Sequence, residues 1–92
     1  MVGVVRWVLY LPGCHSLKMK RSIVRSLKER LRTRHKVSVA ETDHQELWQK
    51  AELTAAVVTT DRSFAESLID RLDRLVASEL RAEVVERETT FY

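Results

Sequence analysis

Three groups of side chains have types and spacings that could do chemistry. Lys18, Arg21, Arg25, Lys28 and Arg32 follow steps of three, four, three and four, with Lys20 beside them. On a helix this spacing puts the five on one flank about 21 Å long, a row of cations suited to the phosphates of a nucleic-acid backbone. Like charges at i,i+3 or i,i+4 cost ~0.2–0.5 kcal/mol per pair, a penalty that interleaved Glu would remove. The row is therefore read as a working surface, with Lys18, Lys20, Arg21, Arg25, Lys28 and Arg32 as its phosphate contacts.

Glu41, Asp43, His44, Glu46 and Glu52 form the second group. Carboxylates with an imidazole can hold a divalent cation. However, Asp43-His44-Gln45-Glu46 matches a helix capping box, which gives two of the acids a structural use, and strand alternation separates Glu41 from His44. The expectation is structural: Asp43 caps a single helical turn running through Trp48, Glu41 and Glu52 pair with Lys50, Arg6 or the basic helix, and Trp48 plugs the sheet edge. No metal site is expected there.

The third group is Cys14-His15, where an imidazole beside a thiol could lower its pKa. Sequence neighbours rarely aim both groups at one substrate, and no third residue is placed to orient them. The single cysteine excludes an internal disulfide framework and fits a reducing cytosol. No phosphate loop, dinucleotide fingerprint or zinc spacing occurs, so neither a catalytic residue, a cofactor nor a small-molecule substrate is expected.

These groups need elements to position them. Val2 to Leu11 alternates as a strand, with Val5, Trp7, Leu9 and Leu11 on the core side and Val4, Arg6, Val8 and Tyr10 on the other; Pro12 and Gly13 end it. With Arg6 in its middle and no basic lead-in, it is too short for a membrane span. Ser16 caps a helix from Leu17 to about His35 that buries Leu17, Ile23, Val24, Leu27 and Leu31. A short strand from Lys36 to Glu41 leads through the polar turn to a strand from about Lys50 to Thr60, apolar on both sides and so central. Asp61 or Ser63 caps a second helix with Phe64, Leu68, Leu72 and Leu75 inward and Glu66, Asp70 and Asp73 outward. Val84 to Tyr92 closes the chain as a charged edge strand.

The 92 residues make one domain with a thin core. Their order, β-α-β-β-α-β, is the split βαβ arrangement of the α+β class: a four-stranded antiparallel sheet ordered 4-1-3-2 with both helices on one face. The other face, with Val4, Arg6, Val8 and Tyr10, is open, and two such faces packed together would make a homodimer. Eleven Arg against five Lys, two Gln and no Asn suggest a heat-adapted source. The net charge of +3 divides sharply: residues 15 to 36 hold nine bases and one acid, the rest seven bases and twelve acids. Structured RNA or the ribosome is the partner this asymmetry favours. A domain recognising a small ligand, or docking an acidic partner, on its open sheet face is the alternative.

The segment VSVAETDHQELWQKAEL, with LPGCHSLKMKR before it and VVTTD after it, resembles the YlxP-like family of small bacterial proteins, across nearly the whole chain. Ser16, Leu17, Lys18, Lys20, Arg21, Ala40, Glu41, Asp43, Gln45, Leu47, Trp48, Gln49, Glu52 and Leu53 match the pattern. The resemblance implies a ferredoxin-like fold and, from the family's usual gene neighbours, a connection with translation initiation or ribosome maturation. It supplies no catalytic residues, and it marks Glu41, Asp43, His44, Trp48, Gln49 and Glu52 as the turn that carries the family motif.

Overall fold

A computed structural model describes residues 1–92 as β1 (Val2–Tyr10), α1 (Leu17–His35), β2 (Ser38–Asp43), β3 (Lys50–Val58), α2 (Arg62–Ala77) and β4 (Glu83–Phe91). The sheet is antiparallel throughout and ordered β2-β3-β1-β4, the expected order read from its opposite edge. The fold is ferredoxin-like. Val5, Trp7, Leu9 and Leu11 turn inward with Leu53 and Ala55, because successive strand residues point to opposite sides. They share one core with Ile23, Val24, Leu27 and Leu31 of α1 and Leu68, Ile69, Leu72, Leu75 and Val76 of α2, so both helices cover the same face. No helix is long and apolar enough to cross a membrane.

Local chemistry sets the helix ends. Ser16 has extended backbone, and its hydroxyl accepts a hydrogen bond from the Met19 amide at 3.0 Å, satisfying a donor of the first turn. At the other end Lys36 takes the left-handed conformation, φ 53°, and its amide donates to the Arg32 carbonyl. Asp61 rather than Ser63 caps α2, accepting from the Ser63 amide at 2.9 Å.

Two expectations for the helices need correction. The buried stripe of α2 runs through Ala65, Leu68, Ile69, Leu72, Leu75 and Val76, which turns the helix so that Phe64 stands half exposed at its start. Asp73, expected outward, is partly covered: its Oδ1 accepts from Trp7 Nε1 at 2.8 Å, giving the buried indole its polar partner.

Candidate functional site

Lys18, Arg21, Arg25 and Arg32 are exposed along α1, with Lys28 partly covered among them. The ion pairs that α1 makes use other residues: Lys20 with Glu41 and Arg30 with Glu79. Elsewhere Arg6, Arg62, Arg81 and Arg87 are all paired with acids. Ten Lys and Arg have no acidic partner, and five of them stand in this one row; the others, Arg34, Lys36, Lys50, Arg71 and Arg74, are divided between the end of α1, β3 and α2. Arg32 Nη2 donates to the Val39 carbonyl at 2.9 Å, so the flank lies toward the outer strand β2, while Arg30 reaches the segment after α2. At the C-terminal end of α1, burial and then the neighbouring Arg71 and Arg34 hold His35 below the usual histidine pKa. It therefore adds no charge to the row at neutral pH.

Lys20 is a correction. Expected among the phosphate contacts, it is 1% exposed. Its Nζ donates to the His44 carbonyl and lies 3.0 Å from Glu41 Oε2. That carboxylate oxygen has no aligned hydrogen bond, so the contact is an ion pair held largely out of water. Lys20 ties α1 to the β2–β3 turn and leaves the phosphate row with five members.

The turn itself differs from the capping-box expectation. Asp43 ends β2, and its Oδ1 accepts from the next amide, His44, at 2.7 Å. His44 then takes a left-handed backbone, φ 62°, and its carbonyl accepts from the Leu47 amide at 3.0 Å. No capped helical turn forms, because the Asp43 carboxylate takes the adjacent His44 amide instead of the Glu46 amide and the left-handed His44 cannot open a right-handed helix. Gln49 Nε2 donates to the carbonyls of Pro12 and Cys14, both at 3.3 Å, locking the turn onto the β1–α1 loop. Cys14 is buried beneath this contact, and its thiol donates to the Ser16 carbonyl.

Trp48 does not plug the edge; it is 53% exposed. With Tyr10, Glu46, Leu47, Gln49, Lys50 and Val85 it lines an open groove of about 650 Å³ at the loop end of the sheet. Leu47 and Val85 had no assigned role in the sequence reading. Leu47 sits beside Trp48 in the motif, which was an available signal. Val85 reaches the groove through a register shift between Val8 and Leu9, which only the strand pairing reveals.

The open sheet face is also more polar than expected. Val8 is buried, and Arg6 bridges its neighbours: Nη1 donates to Glu52 Oε1 at 2.8 Å and Nη2 to Glu86 Oε1 at 2.9 Å, with Glu88 at 3.9 Å. Glu86 and then Glu52 raise the guanidinium pKa further. Thr42 Oγ1 donates to Glu52 Oε2 at 2.6 Å and, with Arg6, holds that carboxyl below its usual range. The centre of this face is a charged network rather than an apolar surface. Val4 and Tyr10 flank it, half-buried and exposed respectively.

Glu79, just after α2, was missed in the sequence. It is 6% exposed and takes Arg30 Nη2 at 2.6 Å, Arg81 Nε at 2.7 Å and the Arg81 amide at 3.0 Å. The Arg81 side chain, with further help from the Arg81 amide and Arg30, lowers its pKa to about 2.

Comparison with known proteins places this geometry. Residues 2–89 match the family described as "Protein of unknown function (DUF503)". The chain is 26% identical over 72 residues to the "Uncharacterized protein YlxP" of Bacillus subtilis (strain 168), covering 78% of each chain. Among solved structures it is similar to the structural-genomics protein YJCS, with a TM-score of 0.64 at 9% identity over 100% of this chain and 99% of that one. It is similar to the de novo designed protein Foldit4, at 0.57 and 18%, over 99% and 97% of the two chains. The oxygenase SnoaB of Streptomyces nogalater, described as cofactor-independent, gives 0.59 and 10% over 99% and 91%. At these identities the three structures share the fold alone.

Proposed function

The chain belongs to the DUF503 family of proteins of unknown function, and from that premise we propose that it is a non-enzymatic domain that binds structured RNA through the outer flank of α1. The observation that carries this reading is the row Lys18, Arg21, Arg25, Lys28 and Arg32, which gathers on one helix flank five of the ten Lys and Arg that have no acidic partner. A helix flank of Lys and Arg suits backbone phosphates, and the deep, narrow major groove of an RNA duplex keeps its base edges from such side chains, so the domain recognises shape with little sequence preference. Base stacking on the sheet is not part of the mechanism, because β3 has no aromatic residue and the centre of the open face is occupied by Arg6 and its carboxylates.

Titrating salt against binding to a structured ribosomal RNA fragment tests the proposal. Five phosphate contacts give a log–log slope of about −3.5 to −4.5, roughly a hundredfold loss between 50 and 200 mM salt. Arg25→Glu with Arg32→Glu is expected to weaken binding by at least about tenfold at low salt and to flatten the slope. Equal affinity of the double variant and the unaltered chain would remove α1 from the site.

A further inference from the structure

The groove at the loop end of the sheet has a chemistry of its own, separate from α1. Tyr10, Leu47, Trp48 and Val85 are 40%, 48%, 53% and 58% exposed, a cluster of large apolar side chains that the core does not use. They are also held in place. Gln49 anchors the turn to the β1–α1 loop, Lys20 anchors it to α1, and β1 pairing fixes Tyr10 opposite Lys50 and Glu83. A preformed apolar patch costs little ordering entropy on binding.

The surroundings are acidic. Glu46 lines the groove, Glu83 lies across from Tyr10, and Glu86 and Glu52 lie across from Val8, with Glu88 opposite Arg6. Residues paired across strands share a face, so four of these carboxylates stand on the open face with only Arg6 and Lys50 as bases, and Glu46 adjoins them from the turn. Arg6 is already engaged by Glu52 and Glu86.

We propose that this groove docks a basic peptide segment of a partner protein, with an aromatic or aliphatic anchor seated against Trp48 and Tyr10 and flanking Lys or Arg facing Glu46 and Glu83, the two carboxylates beside the groove that no side chain of the domain pairs with. The charge selects this occupant over two others. A nucleic acid would bring phosphates to a surface with an excess of carboxylates, and a second copy stacked through the same face would set one such excess, five acids to two bases, against another.

The test is selection of a random twelve-residue peptide library displayed on phage against the full chain, with Trp48→Ala as the counter-selection. Trp48 is exposed, so its removal leaves the core intact. Enriched peptides are expected to carry one large apolar residue flanked by Lys or Arg. Their binding changes the emission of Trp48, while Trp7 stays buried. Glu46→Lys with Glu83→Lys is expected to weaken the enriched peptide about tenfold. Four results would each overturn the proposal: no enrichment that depends on Trp48, enrichment of neutral or acidic peptides, concentration-dependent dimerisation abolished by Trp48→Ala, or a Trp48 emission change on adding a ribosomal RNA fragment that persists in Arg25→Glu/Arg32→Glu. The readouts at Trp48 and at α1 are separate, so failure here leaves the helix proposal standing, and the reverse.

Discussion

Lys20 and Glu79 are charges taken out of water, and each is kept only by its partners. Lys20 sits at i−3, i−4, i−7 and i−11 to Ile23, Val24, Leu27 and Leu31, so the helical spacing that assigned the buried stripe also contained Lys20. Its charge hid that signal, and its partner Glu41 lies too far along the chain for spacing to find. Lys20→Met is expected to cost ~3 kcal/mol by leaving the Glu41 carboxylate without its cation. Adding Glu41→Gln should recover part of that loss, since the orphaned charge is then gone; urea midpoints of the three chains measure both effects. Glu79 gives a pH test. Its pKa is lowered to about 2 in the fold, so its contribution is complete above the ordinary carboxylate range and is lost as pH falls toward 2. Glu79→Gln is expected to cost ~1–3 kcal/mol at pH 7, and its stability should converge on that of the parent chain as the pH falls from about 5 to 2. A constant difference across that range would mean that Glu79 acts by shape rather than charge.

Elements were legible where local pattern and burial agree. The alternation of β1, the Ser16 cap and the unbroken apolarity of β3 each follow from the chain alone, and strand hydrophobicity with right-handed crossovers gives the sheet order. The β2–β3 turn was not legible, because its form depends on distant bonds: Gln49 to Pro12 and Cys14, and His44 to Lys20. A capping-box match could not compete with three tertiary hydrogen bonds whose partners lie over twenty residues away. The α1 terminus offers a test of an element in its own terms. Lys36 holds a left-handed conformation that costs a side chain ~1–2 kcal/mol and glycine almost nothing. After glycine's larger unfolded-state entropy is counted, Lys36→Gly is expected to stabilise the fold by ~0.5–1 kcal/mol. The urea midpoint should rise with an unchanged slope.

At the scale of the molecule, charge is distributed by layer. The helix layer carries the free cations of α1, and the sheet face carries Glu46, Glu52, Glu83, Glu86 and Glu88 around an apolar groove. The net charge of +3 is too small to say which surface an anion meets. Local potential decides that, because at physiological salt charges more than ~8 Å apart are largely screened. Two double variants with the same total separate the effects. Arg25→Glu/Arg32→Glu and Arg71→Glu/Arg74→Glu each lower the net charge by four, from +3 to −1, but only the first lies in the row of α1. On a heparin column at neutral pH, the first pair is expected to elute at markedly lower salt than the parent chain. The second should elute nearer to it, since Arg71 and Arg74 lie on α2, on the other side of α1 from β2, and only Arg71 comes near α1, beside His35 at its C-terminal end. Equal shifts for both pairs would mean that the anion senses the whole helix layer, and the five-residue row would then lose its claim to be a distinct surface.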